Sequence, residues 1–182
     1  MEGRAEPSSG TLRNHLSKLR RALPDGVLVR DGTTYRLTDA VSADLVELRV
    51  LLEAEGDRQE CLCRALGLVR GPVLSGSLAG RNAPYAWTGD LVYEAERLVE
   101  DAAHELAGLA LAASHLELGE WAVAQGRKAG PHALVLVEDW LRLGHAEGGG
   151  REVARRLARA RRDLGDDAGL LEPLARELGA FG

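Results

Sequence analysis

The apolar positions of this chain fall mostly at helical spacing. Leu12, Leu16, Leu19 and Leu23 recur at i, i+4, i+7 and i+11, one stripe of an amphipathic helix. Ser9 or Thr11 can cap its start, and Pro24 with Gly26 stops it. The pattern then changes to alternation. Val27, Val29, Tyr35 and Leu37 flank the turn-forming pair Asp31-Gly32, which predicts a β-hairpin. Helical spacing returns over Asp44–Glu55, with Leu45, Leu48, Leu51 and Leu52 inward, and over Arg58–Arg70, with Leu62, Ala65, Leu66 and Val69 inward. Gly71-Pro72 ends that helix. Residues 71–89 read as a long irregular loop, whose Tyr85 and Trp87 are expected to tuck against the helices. A long helix is predicted over Asp90–Ala113, with Leu91, Ala95, Leu98, Ala102, Leu106 and Leu109 tracing its apolar face. Helices follow over Ala133–Leu143 and Gly150–Leu164, and a short one near Leu170–Leu178.

The stretch from Leu106 to Pro131 reads as two helices packed back to back. Small residues stand where backbones must approach (Ala107, Gly119, Gly126), Leu106, Trp121 and Val123 fill the space between, and Pro131 stops the pair. That spacing is the tetratricopeptide (TPR) pattern. A helical pair of this build cannot bury its apolar face alone, so it predicts similar neighbours on both sides.

With 182 residues there is room for one good core, or for a small module beside a larger one. The formal net charge of −5 argues against wholesale coating of nucleic acid. Its distribution matters more. Residues 1–40 carry seven Lys and Arg against five Asp and Glu, residues 41–150 nine against 17, and residues 151–182 seven against six. The acidity belongs to the middle of the chain. The first helix carries Arg13, Asn14, His15, Lys18, Arg20 and Arg21 on its other faces and no acidic residue.

A basic helix followed by a hairpin has the order of recognition helix and wing. LRNHLSKLRRAL followed by VLVRDGTTYRL resembles the C-terminal part of the winged-helix domain of SARP-type bacterial regulators, the antibiotic regulatory protein family. ALGLVRGPVL resembles the mark of the bacterial transcriptional activator domain that follows it there, an Ala-Leu-rich helix running into Trp-Arg-Gly-Pro. Val69 stands where the family often has Trp, a smaller packing anchor. PYAW with EAERLVEDAAHELAGLAL is similar to a sub-branch of activator-domain proteins, some with LysM and membrane segments upstream. The resemblance covers nearly the whole chain from Thr11. It implies a mainly α fold: a TPR-like helical repeat (an α-α superhelix) over 41–182, preceded over 1–40 by a partial winged-helix element.

A complete winged helix needs two earlier helices to cover the inner face of the recognition helix, and the ten residues before Thr11 cannot supply them. Three explanations stand open: a fragment of a longer protein, a start assigned too late, or a degenerate winged helix. The leucine stripe must then find cover from the wing or the helical domain, or stay exposed.

The chemistry expected is recognition. Arg13, Asn14, Lys18, Arg20 and Arg21 are the DNA-contacting set, since Arg and Asn can each bridge two groups on a base edge and Lys neutralises phosphate. Arg30 on the wing would reach the adjacent backbone. The alternative for all six is a solvated face in an Arg-rich protein. The second basic run, Arg151, Arg155, Arg156, Arg159 and Arg162, is read as a solvated face paired with the chain's own carboxylates. Trp87, Trp121 and Trp140 are candidate anchors of a partner groove, though each also suits the core. Cys61 and Cys63, two residues apart, point to different sides of a helix and read as apolar filling. The histidines have no metal-binding spacing, SGSLAG lacks the phosphate-loop lysine, and no serine sits in a nucleophile elbow. No enzyme, metal, cofactor or small-molecule substrate is therefore expected. Without a leader or an apolar run of ~20 residues, the chain is expected to be cytoplasmic, with no membrane segment. The function expected is non-enzymatic transcriptional regulation: DNA as one partner, and transcription machinery or a second copy of the chain as the other. The alternative is a protein-interaction scaffold of a signalling or envelope-associated protein that no longer binds DNA.

Overall fold

The computed structural model describes residues 9–74 and 88–181. The chain is mainly helical with one two-stranded sheet, and divides into two compact units, Met1–Ala43 and Asp44–Gly182. Tyr85 and Trp87 lie outside the described residues, as do the side chains of Ser9, Thr11 and Leu12.

The first unit is helix α1 (Ser9–Ala22) followed by strands β1 (Leu28–Asp31) and β2 (Thr34–Leu37). The strands pair antiparallel, with Leu28 opposite Leu37 and Asp31 opposite Thr34. Gly32 takes φ +58°, the left-handed value that a two-residue hairpin loop asks of its first residue. Val27, 8% exposed, is the buried apolar side chain of this unit among the described residues. Leu16 and Leu23 are half-buried and Leu19 is 43% exposed, so the leucine stripe is only partly covered.

The second unit begins with α2 (Asp44–Glu53) and α3 (Arg58–Gly67). Asp57 caps α3 by accepting the Glu60 N–H at 3.0 Å, satisfying one of the free donors of its first turn. Then come α4 (Thr88–Ala112), α5 (Leu116–Ala129) and α6 (Leu134–Leu164), a 3-10 segment (Gly165–Leu171) and α7 (Glu172–Glu177). α4 ends in a tight reversal. Ser114 adopts φ +59°, with the His115 N–H on the Ala110 carbonyl at 2.8 Å and the Ser114 N–H on Leu111 at 3.1 Å.

Two apolar cores organise this unit. The first joins Leu48 and Leu51 of α2, Leu62 and Leu66 of α3, Val99, Ala103 and Leu106 of α4, Ala122 and Val123 of α5, and Leu136 and Leu143 of α6. The second joins Val137 and Leu141 of α6 to Val153, Leu157 and Ala160 farther along it, with Leu171 and Ala175 closing the end. α6 thus serves both cores from opposite sides. The inward sets expected for α2, α3 and the later part of α6 match. In α4 the expected Ala95, Leu98, Ala102 and Leu106 turn inward, joined by Val99, Ala103 and Ala110, whereas Leu109 is 40% exposed. At ~100° per residue the buried face is centred roughly 60° round the helix from the expected line, which leaves Leu109 at its margin.

The small residues explain the close packing. A Cβ on Gly126 would stand 2.5 Å from Leu136 Cδ1 and 2.6 Å from Ala103 Cβ, and one on Gly119 2.6 Å from Leu143 Cδ2. Such distances are inside van der Waals contact: at Gly119 the Leu143 side chain would have to shift, and at Gly126 the Ala103 Cβ could not give way without its helix. α6 itself is broken. Gly148 and Gly149 leave helical geometry, Gly149 at φ +63°, so two limbs meet at the glycine run. No helix among the described residues is long and apolar enough to cross a membrane.

Candidate functional site

On α1, Arg13, Asn14, His15, Lys18, Arg20 and Arg21 are all exposed. At ~100° per residue, Arg20, Arg13, Arg21, Asn14 and Lys18 share one arc of about 160°, opposite Leu16, Leu19 and Leu23. No acidic side chain lies on the helix. Arg21 donates back to Ser17 Oγ at 3.2 Å, and the Arg20 guanidinium lies over the Tyr35 ring of β2, 5.2 Å from its centroid. Arg30 is exposed at the hairpin end, its Nε donating to the Gly32 carbonyl at 2.9 Å. A planar cation held by one hydrogen bond keeps its remaining donors for a ligand.

The basic run of α6 behaves differently. Arg155 pairs with Glu152 at 2.5 Å, and Arg161 with Glu172 at 2.7 Å. Arg156, expected on a solvated face, is instead buried, its side chain 6% exposed. Its guanidinium donates to Glu120, to Glu147 at 2.5 Å, to Glu152 at 2.9 Å and to the Trp140 carbonyl at 2.7 Å. The space is a glycine's. A Cβ on Gly144 would stand 2.6 Å from both Arg156 Cδ and Nε. Hydrogen bonds from Arg155 and then Arg156 hold the Glu152 carboxyl down at about 2.

Trp121 and Trp140 are both half-buried at the margin of the first core, while Trp87 lies outside the described residues. Trp140 is surrounded by cations: Arg127, Arg156 and Arg159 lie 5.9, 5.2 and 5.6 Å from its ring. Beside it opens a groove of about 410 Å³ between α5 and α6, bordered by Arg127, Lys128, Arg159 and Asp163. The sequence points to the tryptophan but not to its cations, because Arg127 and Arg159 come from different helices. Trp121 does not border this groove.

A second polar cluster joins α4 to α6. His104 donates from Nδ1 to Asp139 at 2.6 Å, and Arg142 donates to the other oxygen of the same buried carboxylate at 3.0 Å. Elsewhere Arg58 holds Glu105 through paired hydrogen bonds of 2.5 and 2.7 Å, and this bonding lowers the Glu105 carboxyl below its ordinary value. Burial pushes the Glu100 carboxyl and the Cys63 thiol up. Cys61 is buried and Cys63 half-buried. Among the described residues no group of three or more His, Cys, Asp and Glu is placed to hold a metal ion. No protein-family model, curated protein or solved structure matches the chain.

Proposed function

We propose that this chain is a non-enzymatic transcriptional regulator that contacts DNA through α1 and the hairpin and contacts proteins through its helical unit. The observation that carries the reading is the acid-free arc of Arg13, Asn14, Lys18, Arg20 and Arg21, all exposed on one side of α1. A helix of this charge fits the major groove, with Arg and Asn able to bridge base edges and Lys able to meet phosphate. The hairpin that follows keeps the order of recognition helix and wing, and the Arg20–Tyr35 stacking ties helix to strand. In the helical unit, paired helices meeting at Gly119 and Gly126 support a TPR-like arrangement.

The test is fluorescence anisotropy of a labelled duplex titrated with the chain at low and moderate salt, beside a variant carrying Arg13→Ala, Lys18→Ala and Arg21→Ala. The expected outcome is affinity that falls steeply with salt, with the slope reduced by roughly 0.9 for each phosphate the variant no longer neutralises. Absence of binding at low salt sinks DNA contact by this chain.

One observation favours a protein-interaction scaffold as the second reading: Leu19, 43% exposed in a partly covered leucine stripe, offers α1 an apolar side to a partner. That reading predicts partner binding insensitive to salt and no DNA retention.

A further inference from the structure

We propose that the groove beside Trp140 binds the phosphoryl group of a small anion, either free phosphate or a phosphomonoester. This site lies in the helical unit and does not depend on whether α1 contacts DNA.

Three guanidinium groups surround Trp140, but they are not equivalent. Arg156 already gives four of its five N–H donors to Glu120, Glu147, Glu152 and the Trp140 carbonyl. Arg127 approaches one acid, Asp163, at 3.6 Å, beyond hydrogen-bond length, and its Nε is buried without an acceptor. Arg159 is exposed on the rim, with no carboxylate partner among the described residues and its guanidinium stacked at Trp140. Lys128 donates to the neutral Gln125 amide at 2.8 Å. Glu120 also borders the groove, and it shares the one charge of Arg156 with Glu147 and Glu152.

The charged side chains bordering the groove are therefore Arg127, Lys128 and Arg159 against Asp163 and Glu120, a positive charge in excess. A phosphoryl anion offsets that excess, and its three oxygens suit two planar guanidinium groups and one ammonium. Cations gathered with few acid partners repel one another, and an anion relieves that repulsion. The volume of about 410 Å³ suits a small molecule. Were the arginines only a cover for the indole ring, they would show no preference for phosphate over chloride.

Isothermal titration of the full chain at constant ionic strength tests this, with sodium chloride as balancing salt and inorganic phosphate, phenyl phosphate and acetate as probes. Saturable phosphate binding is expected, weakened about tenfold or more in Arg159→Gln, which removes a charge-assisted hydrogen bond to the anion. Arg159 is exposed, so this variant keeps the fold. Arg151→Gln, exposed and off the groove, is expected to bind like the parent. Tighter binding of phenyl phosphate assigns a phosphomonoester, and tighter binding of inorganic phosphate assigns the free ion; either supports the site. The proposal is overturned if neither phosphate saturates, if acetate binds as tightly, or if the two variants weaken binding equally. An unchanged affinity of Arg159→Gln for duplex DNA would separate this site from the DNA-binding role assigned to α1.

Discussion

The two units of this chain treat leucine in opposite ways. In the helical unit Leu62, Leu66, Leu106 and Leu136 are 0% exposed, and each touches side chains from neighbouring helices. In the first unit the leucines of α1 are half-buried or exposed, and Val27 is its buried apolar side chain among the described residues. Charge follows the same division. The helical unit pairs many of its arginines with its own carboxylates, Arg58, Arg142 and Arg156 among them, whereas α1 has no acid to pair with. A unit of about 40 residues with so little burial is near the size at which a core alone no longer suffices. One part of the chain is built to satisfy itself; the other is left with groups that something else can satisfy.

The sharpest way to break the contrast is to remove Arg156. Arg156→Ala leaves Glu120, Glu147 and Glu152 facing one another without their shared cation, and is expected to cost about 3–5 kcal/mol in denaturant unfolding of the helical unit. Replacing Arg13 of α1 in the same way is expected to stay within about 0.5 kcal/mol, since Arg13 is exposed.

Leucine truncation sharpens the comparison at slightly smaller scale. Leu106→Ala should cost about 2–5 kcal/mol through reduced burial and the cavity left behind. Leu19→Ala, at a site already 43% open, should cost well under that in the same melt.

Acid gives the smallest effect. Glu152 is held down at about 2 and Glu105 is lowered by its bond to Arg58, so both bind protons more weakly folded than unfolded. The stability they contribute is present above the unfolded value near 4.5 and is lost as pH falls from there toward 2. Glu100, raised by burial, works the other way: its contribution is present below the unfolded value and is lost as pH rises through its folded one. Thermal midpoints of the parent should fall between pH 4.5 and 2, and Glu152→Gln should flatten that slope.

Much of the fold is legible in the sequence because burial here follows periodicity. The stripes of α2, α3 and the far limb of α6 announce themselves by spacing, and Gly119 and Gly126 by standing where a side chain would be expected. Arg156 is hidden for a physical reason. A pattern of apolar and polar positions counts arginine as outward, while the carboxylates that make its burial tolerable lie nine residues back and 36 residues away. Gly144 is the available clue, an interior helical glycine facing α6's own basic run. The spacing also predicts too long a gap between Leu143 and Gly150, since helical structure continues to the break at Gly148 and Gly149. The basic face of α1 is visible as composition, and the helix merely gathers it into one arc. The cations about Trp140 are not visible, because they meet only after α5 and α6 pack.

The break at Gly148–Gly149 also sets how the molecule comes apart. An uninterrupted helix over Leu134–Leu164 would transmit fraying at its far end straight back to Leu136 and Leu143 in the first core. With the hydrogen-bonded ladder interrupted, the far limb, the 3-10 segment and α7 form a block that can open while the near limb stays docked. Arg156 is the latch of that block, reaching back over the break to Glu147 and to Glu120 on α5. Partial opening would bare Val137 and Leu141 and leave the larger core shut.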